Sequence, residues 1–220
     1  MRDPARRAAR GARPRGERVT GADRRIVLAT HNPHKVEEFQ AIVAATRPDI
    51  EVIGYDGPEP VEDGVTFAEN ALIKARAAAL HTGLPALADD SGICVDVLGG
   101  APGVFSAYWA GHAKDAVANR DLLLDQLSDV ADPHRAAQFV STIALVVPGG
   151  DEQVVEGRWP GRLATAAAGS GGFGYDPVFI PTEQPTAVER TVGEWTSDEK
   201  NAASHRARAF VALVPLLAAL

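Results

Sequence analysis

The sequence has one cysteine, few lysines and no long apolar run, and each shortage excludes a class of protein or site. With Cys94 alone, neither an internal disulfide nor a zinc site of several cysteines can form. The histidines show no H-x-x-x-H spacing, which argues against a helical zinc motif. No stretch approaches the roughly 18 uninterrupted apolar residues of a membrane span, so we expect no membrane partner.

The composition predicts one globular domain behind a basic tail. Apolar residues make up 45% and charged residues 23% of the 220 residues, enough for a sizeable core. Residues 1–24 are rich in Arg, Ala, Gly and Pro without apolar periodicity, which predicts a disordered, dispensable tail before a domain at 25–220. A targeting or nucleic-acid-binding arm is the alternative interpretation of that tail.

The charge distribution bears on partners and location. The first 25 residues carry a net charge of +6 and the whole chain −7, so residues 26–220 carry −13. An acidic domain disfavours a nucleic-acid duplex as partner but permits a small anion held through a metal. No apolar segment typical of a secretory signal is present, and we expect a cytoplasmic protein without a nucleic-acid partner.

Short apolar runs alternate with helical periodicities along the domain. The predicted strands are 26–30, 50–53, 84–88, 93–98, 138–147 and 153–163 as a hairpin, and 178–180. The predicted helices are 35–45, 67–81, 113–127 and a last helix broken near Ser204. The alternation indicates an α/β fold with a mixed sheet.

Residues 169–174 match G-x-G-x-x-G, but their context does not fit dinucleotide binding. That fingerprint requires a preceding strand and a helix that opens on the glycines, whereas a β-type run follows here. We expect instead a mobile or closely approached loop that presents Phe173, Tyr175 and Asp176. Ser91 lacks a G-x-S-x-G elbow, which weakens a serine-hydrolase interpretation.

Only four of the 22 basic residues are lysine, at positions 35, 74, 114 and 200. A compact ammonium suits the neutralisation of a phosphate, whereas arginine favours flat bidentate pairing. Thr30 to Lys35 follow the first strand and precede a helix, where amides, a hydroxyl and an ammonium could surround a phosphate. Simple capping of that helix by Thr30 or Asn32 is the alternative, and both roles can hold together.

The carboxylates cluster at three places, and for one of these clusters neither helix capping nor solvation accounts for the acids. Glu69 completes a capping box with Thr66, and solvation alone accounts for Glu62 and Asp63 in their Gly/Pro-rich loop about as well as a function does. Asp89 and Asp90 are different, because two adjacent acids at the predicted end of a buried strand are costly unless a cation or a proton transfer requires them. One acid from the Glu62–Asp63 loop and one from the Asp89–Asp90 pair would suit Mg²⁺ beside substrate phosphates. The other acid of the Asp89–Asp90 pair could then deprotonate a water.

Five ordered segments resemble the inosine triphosphate pyrophosphatase family, which removes non-canonical purine nucleotides. They are LATHNPHKVEE from Leu28, EDGVTFAENALIKA from Glu62, ALADDSGICVDVLGGAPGVFSA from Ala86, GSGGFGYDPVF from Gly169 and EKNAASHRARA from Glu199. The resemblance covers 26–209 and none of the tail. It implies Mg²⁺-dependent hydrolysis of a nucleoside triphosphate to the monophosphate and pyrophosphate by a homodimer. It also implies an elongated mixed α/β fold whose two lobes flank a central cleft.

The resemblance also implies roles for individual residues. Triphosphate binding falls to Thr30, His31, Asn32, Pro33, His34, Lys35 and Lys74. Glu62 and Asp90 would hold Mg²⁺, Asp90 would accept the proton of the attacking water, and Asp89 and Ser91 would support them. The base would be stacked and framed by Phe173, Gly174, Tyr175 and Asp176, while Lys200, His205 and Arg206 would contact base or phosphate.

Two departures and two alternatives accompany this interpretation. Glycine is common in the family where His31 and His34 stand, so the phosphate loop can be tighter or differently shaped. Threonine is frequent where Asp63 stands, so Asp63 adds negative charge beside Glu62. A related pyrophosphatase for pyrimidine or modified nucleotides is one alternative, which Lys35 and the intact Ser-His-Arg segment disfavour. A non-catalytic nucleotide sensor is the other.

The choice of base should depend on hydrogen-bond polarity. Donors at the purine 6-position would favour a keto oxygen over an amino group, because unmatched buried polar groups are costly.

Overall fold

The computed structural model describes residues 24–220, so the predicted tail, up to residue 23, lies outside the described residues. The strands are β1 (Arg25–Leu28), β2 (Glu51–Gly54), β3 (Ala86–Val95), β4 (Ala136–Val146), β5 (Glu152–Leu163) and β6 (Phe179–Pro181). The α-helices are α1 (Pro33–Thr46), α2 (Phe67–Thr82), α3 (Ala116–Gln126), α4 (Ser197–Ala203) and α5 (His205–Ala218). None of the helices in this part of the chain is long and apolar enough to cross a membrane.

The six strands form one mixed sheet, which confirms the predicted α/β class. The spatial order is β2-β1-β3-β4-β5-β6, with β1 parallel to both of its neighbours and every other pair antiparallel. The predicted hairpin is β4 and β5, which pair from Ala136↔Arg162 to Val146↔Glu152. These long central strands give the sheet its length.

The acid pair does not lie at a strand end, and that prediction is wrong. Strand β3 continues through the acids to Val95, because β4 pairs with it residue by residue from Ala86↔Val146 to Val95↔Ala137. The backbone of this polar stretch is therefore part of the ladder with β4. The short neighbour β1 stops at the register pair Leu28↔Leu87. The edge that opens next to Asp89 is thus the carboxyl end of β1.

The core divides into two halves on either side of the polar segment of β3. In one half, Leu87 belongs to a cluster with Phe39 of α1 and Phe210 of α5, while alanines of α2 cover the opposite face of the sheet. In the other half, Ile93 belongs to a cluster built around Trp159 and the side chains of α3 and β6. The expected two-lobed form with a cleft between the lobes corresponds to these halves.

Helix caps and one close approach set the ends of the helices that face the cleft. The Asn32 side chain caps α1 and Thr66 forms the predicted capping box with Glu69 at α2. Ser204 ends α4 and caps α5, so the predicted break in the last helix is confirmed. Gly157 of β5 lets α5 approach, since a Cβ there would lie 2.2 Å from the carbonyl oxygen of His205.

Candidate active site

Asp89 and Asp90 point to opposite faces of the sheet, because side chains alternate along a strand. On one face, Lys35 of α1 donates from Nζ to both carboxylate oxygens of Asp89, at 2.8 and 2.9 Å. Arg206 of α5 approaches the same carboxylate, with Nε 4.0 Å from Oδ2. Burial alone would raise the pKa of Asp89, but Lys35 and Arg206 outweigh burial and hold that pKa below its usual value.

On the other face, Asp90 shares a lysine with Glu62. Nζ of Lys74 lies 2.8 Å from Glu62 Oε2 and 3.5 Å from Asp90 Oδ1. Burial raises the pKa of Asp90 and the nearby Glu62 carboxylate adds to the rise, although Lys74 opposes it. The two adjacent acids therefore differ: Asp89 is held ionised, whereas Asp90 is biased towards binding a proton.

Asn70 holds this second face together, and sequence reasoning assigned it no role. Its side-chain oxygen accepts a hydrogen bond from the backbone N–H of Gly64, two residues after Glu62. A hydrogen bond from Asn70 to Asp90 lowers the pKa of that carboxyl. The only signal in the sequence was a polar asparagine four residues before Lys74, which places both on the same face of a helix.

The segment that was predicted to bind phosphate is only partly turned towards the acids. Thr30 Oγ1 accepts from the backbone N–H of Asn32, and Asn32 caps α1, so capping accounts for both side chains. The His31 ring stacks on Tyr55 and lies 3.1 Å from Glu59, which ties the segment to the loop before Glu62. His34 is exposed, with Nδ1 3.8 Å from Glu37, and the structure does not bring its side chain to the acids.

A cavity of about 330 Å³ lies beside the acids, where the second half of β3 meets α5 and the loop after β5. All of the residues that were predicted for the base line it together with Ser91. They are Phe173, Gly174, Tyr175, Asp176, Lys200, His205 and Arg206. A cavity of this volume, with apolar walls and a few polar groups, is typical of a small-molecule site.

The glycine-rich loop is held closely, and it presents one exposed ring. Gly172 has a φ of +69°, and a Cβ there would lie 2.0 Å from the Asp176 carboxylate, so the close approach requires glycine. Asp176 is buried and accepts hydrogen bonds from the backbone N–H of Phe173 and from Lys200 Nζ. Nζ of Lys200 lies 4.1 Å and the guanidinium carbon of Arg206 5.6 Å from the Phe173 ring centre.

Tyr175 and His205 are buried walls of the cavity rather than surface groups. The Tyr175 hydroxyl donates to the carbonyl oxygen of Ser106, and burial raises the pKa of this tyrosine. The His205 ring stacks on Phe139 and Trp159. Burial, reinforced by the charge of Arg206, lowers the pKa of His205 to about 3, so the imidazole is neutral at neutral pH. Its Nδ1 has no hydrogen-bond partner within residues 24–220.

A second cavity of about 170 Å³ lies on the side of Glu62 and Lys74, and its walls include Thr30, His31 and Lys114. Lys114 also lines the larger cavity, so the two cavities meet at this residue. Its position in a turn before α3 gave no pattern by which sequence reasoning could assign it a role. The scarcity of lysine was the only signal.

Glu62 and Asp90 suit a divalent metal that also binds the substrate. Within residues 24–220, no group of three His, Cys, Asp or Glu side chains could hold a metal by protein ligands alone. Mg²⁺ commonly takes one or two carboxylates and completes its shell with waters and substrate phosphates. The Lys74 ammonium between the two carboxylates shows that this pair attracts a cation. The donor set therefore fits Mg²⁺.

Comparisons with known proteins show what the whole domain is similar to. Residues 26–216 match the model of the Ham1 family. A protein of Leifsonia xyli named dITP/XTP pyrophosphatase is 60% identical over 196 residues, which cover 89% of this chain and 96% of that protein.

Solved structures give the same result for the fold. The Ham1 protein of Staphylococcus aureus superposes with a TM-score of 0.80 at 35% identity, over 89% of this chain and 98% of that one. A structure from Mycobacterium abscessus, described as a nucleoside-triphosphatase and dITP/XTP pyrophosphatase, gives 0.75 at 48% identity, over 87% and 99%. The expected family resemblance is thereby confirmed.

Proposed function

The chain belongs to the Ham1 family, and from that premise we propose that it hydrolyses non-canonical purine nucleoside triphosphates. The substrates are dITP, ITP and XTP, the products are the nucleoside monophosphate and pyrophosphate, and the reaction removes these nucleotides from the nucleotide pool. One observation carries the proposal: a purine-sized cavity meets a second cavity lined by carboxylates and an ammonium. A nucleotide has the same two parts, an aromatic base and a polyanion.

The larger cavity is built to bind a base with a keto group. The exposed Phe173 ring offers a stacking surface, and Lys200 and Arg206 beside it are hydrogen-bond donors only. Neutral His205 adds a ring that can donate at one nitrogen and accept at the other. A 6-keto oxygen accepts hydrogen bonds from these donors, whereas a 6-amino group is itself a donor and would be placed against them. We infer that this mismatch excludes adenine.

The second cavity and its surroundings are built to bind and cleave the triphosphate. Lys35 and Lys74 supply positive charge on the two faces of β3, and Asp90 lies next to Lys74 and one residue before Ser91, which lines the base cavity. Asp90 is proposed to accept the proton of the attacking water, and a pKa raised by burial makes this carboxylate a better base than an exposed one. Asp89, locked to Lys35, positions that lysine and keeps the strand segment in place.

The cofactor is proposed to be Mg²⁺, held by Glu62 and Asp90. When bound, it would neutralise phosphate oxygens and lower the pKa of a bound water. The family resemblance supports two further parts of the proposal, a homodimer and a cytoplasmic location.

A turnover panel with Mg²⁺ tests the function. We expect pyrophosphate release from dITP and XTP at kcat/KM values about 100-fold or more above those for dATP and dCTP, because their amino groups would face the donors and leave buried polar groups unpaired. The keto base of dUTP lacks the second ring of a purine and would leave part of the cavity unfilled, so dUTP should also be the poorer substrate. Product analysis must give the monophosphate and pyrophosphate in equal amounts. A preference for dUTP or dCTP would support the pyrimidine alternative. Binding of dITP without turnover would support the sensor alternative.

A further inference from the structure

We propose that Lys114 binds the α-phosphate of the substrate, at the point where the two cavities meet. This inference rests on the proposed function and adds a binding residue to it. The chemical order of a nucleotide carries the assignment. With the base in the larger cavity and the outer phosphates near Lys74, the group between them is the sugar and its α-phosphate. Lys114 lines both cavities, so its side chain lies along that path.

The other lysines of the chain already face carboxylates. Lys35 binds Asp89, and Lys74 lies between Glu62 and Asp90. Lys200 likewise binds Asp176. Lys114 alone among the four has no ion pair or side-chain hydrogen bond within residues 24–220. Its ammonium can therefore bind a phosphate without first leaving a carboxylate.

The backbone at Lys114 is constrained in an unusual conformation. Lys114 has a φ of +54°, and it is the only residue other than glycine with a positive φ in residues 24–220. A left-handed conformation costs a lysine roughly 1 kcal/mol or more, and such strained residues cluster at functional sites. Both flanks of the turn are anchored, which allows the strain to persist. Asp115 caps α3, and Asn119 accepts from the backbone N–H of Ala110.

The same conformation offers a clean test, Lys114→Gly. Glycine adopts a positive φ without strain, so the variant removes the ammonium while the turn keeps its shape. We expect an unchanged or higher Tm, and a kcat/KM for dITP about tenfold lower, as for the loss of one hydrogen bond to a charged group. Lys114→Arg should retain most activity. Ala113→Gly is the control for a loosened turn and should leave kcat/KM within about twofold of the parent protein.

Inhibition by the two products locates the contact. In Lys114→Gly, the inhibition constant of dIMP should rise about tenfold while that of pyrophosphate stays the same, because Lys35 and Lys74 remain. Equal kcat/KM in Lys114→Gly and the parent protein would overturn the assignment. So would a rise for pyrophosphate alone, or an equal loss in Ala113→Gly. A parent protein that hydrolyses neither dITP nor XTP would instead overturn the proposed function, which separates the two failures.

Discussion

The two faces of β3 give adjacent aspartates opposite properties. On one face, Asp89 meets the ammonium of Lys35 at 2.8 Å and the guanidinium of Arg206, and its pKa is lowered. On the other, Asp90 shares Lys74 with Glu62, and its pKa is raised. One face therefore favours the ionised form of its acid, whereas the other favours the protonated form. Alternation along a single strand is enough to place two adjacent acids in different environments.

Of the substitutions on the two faces of β3, Asp90→Asn should have the largest effect, a loss of turnover. If Asp90 accepts the proton of the attacking water, we expect kcat for dITP to fall about 10³-fold while the nucleotide still binds. Because Asn does not pay the cost of a buried carboxylate, Tm at neutral pH should stay the same or rise. Single-turnover kinetics and thermal unfolding check both parts. Turnover within a few fold of the parent protein would remove Asp90 from the role of base.

On the opposite face of β3, Asp89→Asn should lower the stability of the fold. The variant leaves Lys35 partly buried without its partner, and we expect a loss of about 3 kcal/mol in the free energy of unfolding at pH 7. The lowered pKa of Asp89 means that this stability is present above the usual pKa of an aspartate and is lost as pH falls through the folded value. Urea unfolding across acidic pH should therefore show a shallower decline in the variant. If the free energy of unfolding falls with the same slope against pH in both proteins, Asp89 does not stabilise the fold through its ionised form.

His205 sharpens the comparison, because it lies near Asp89 without adding a charge. Burial lowers its pKa to about 3, so the stability it contributes is present above the unfolded value near 6.5 and is lost as pH falls below it. Between pH 7.5 and pH 5 we expect the parent protein to lose about 2 kcal/mol more than His205→Gln. The exposed His34→Gln should follow the parent protein, and unfolding at the two pH values measures all three. An equal loss in His205→Gln would mean that the ring is protonated in the folded protein.

The local patterns of the sequence predicted the elements well and the position of the acids poorly. Apolar periodicity and caps such as Thr66–Glu69 gave helices and strands close to those observed. The strand that carries the acids was predicted to stop at residue 88, because a polar Asp-Asp-Ser-Gly run resembles a turn. Pairing with β4 decides otherwise, and such pairing is non-local.

Sequence reasoning predicted the candidate site only in part, again because non-local pairing decides the rest. The five motif segments predicted most of the residues that line the cavity, and their roles remain predictions. The ion pairs that divide the lysines between the two faces of β3 depend on the register of distant strands and helices. Asn70 and Lys114 were missed for the same reason: their importance arises from what lies opposite them in three dimensions.

The three long strands that run through both halves of the core limit how the protein can admit a nucleotide. The strands β3, β4 and β5 continue without a break from one lobe into the other. Within residues 24–220 they join the lobes directly, rather than through a flexible linker about which the lobes could rotate. Opening and closing must come from the segments that border the cleft or from bending of the sheet itself.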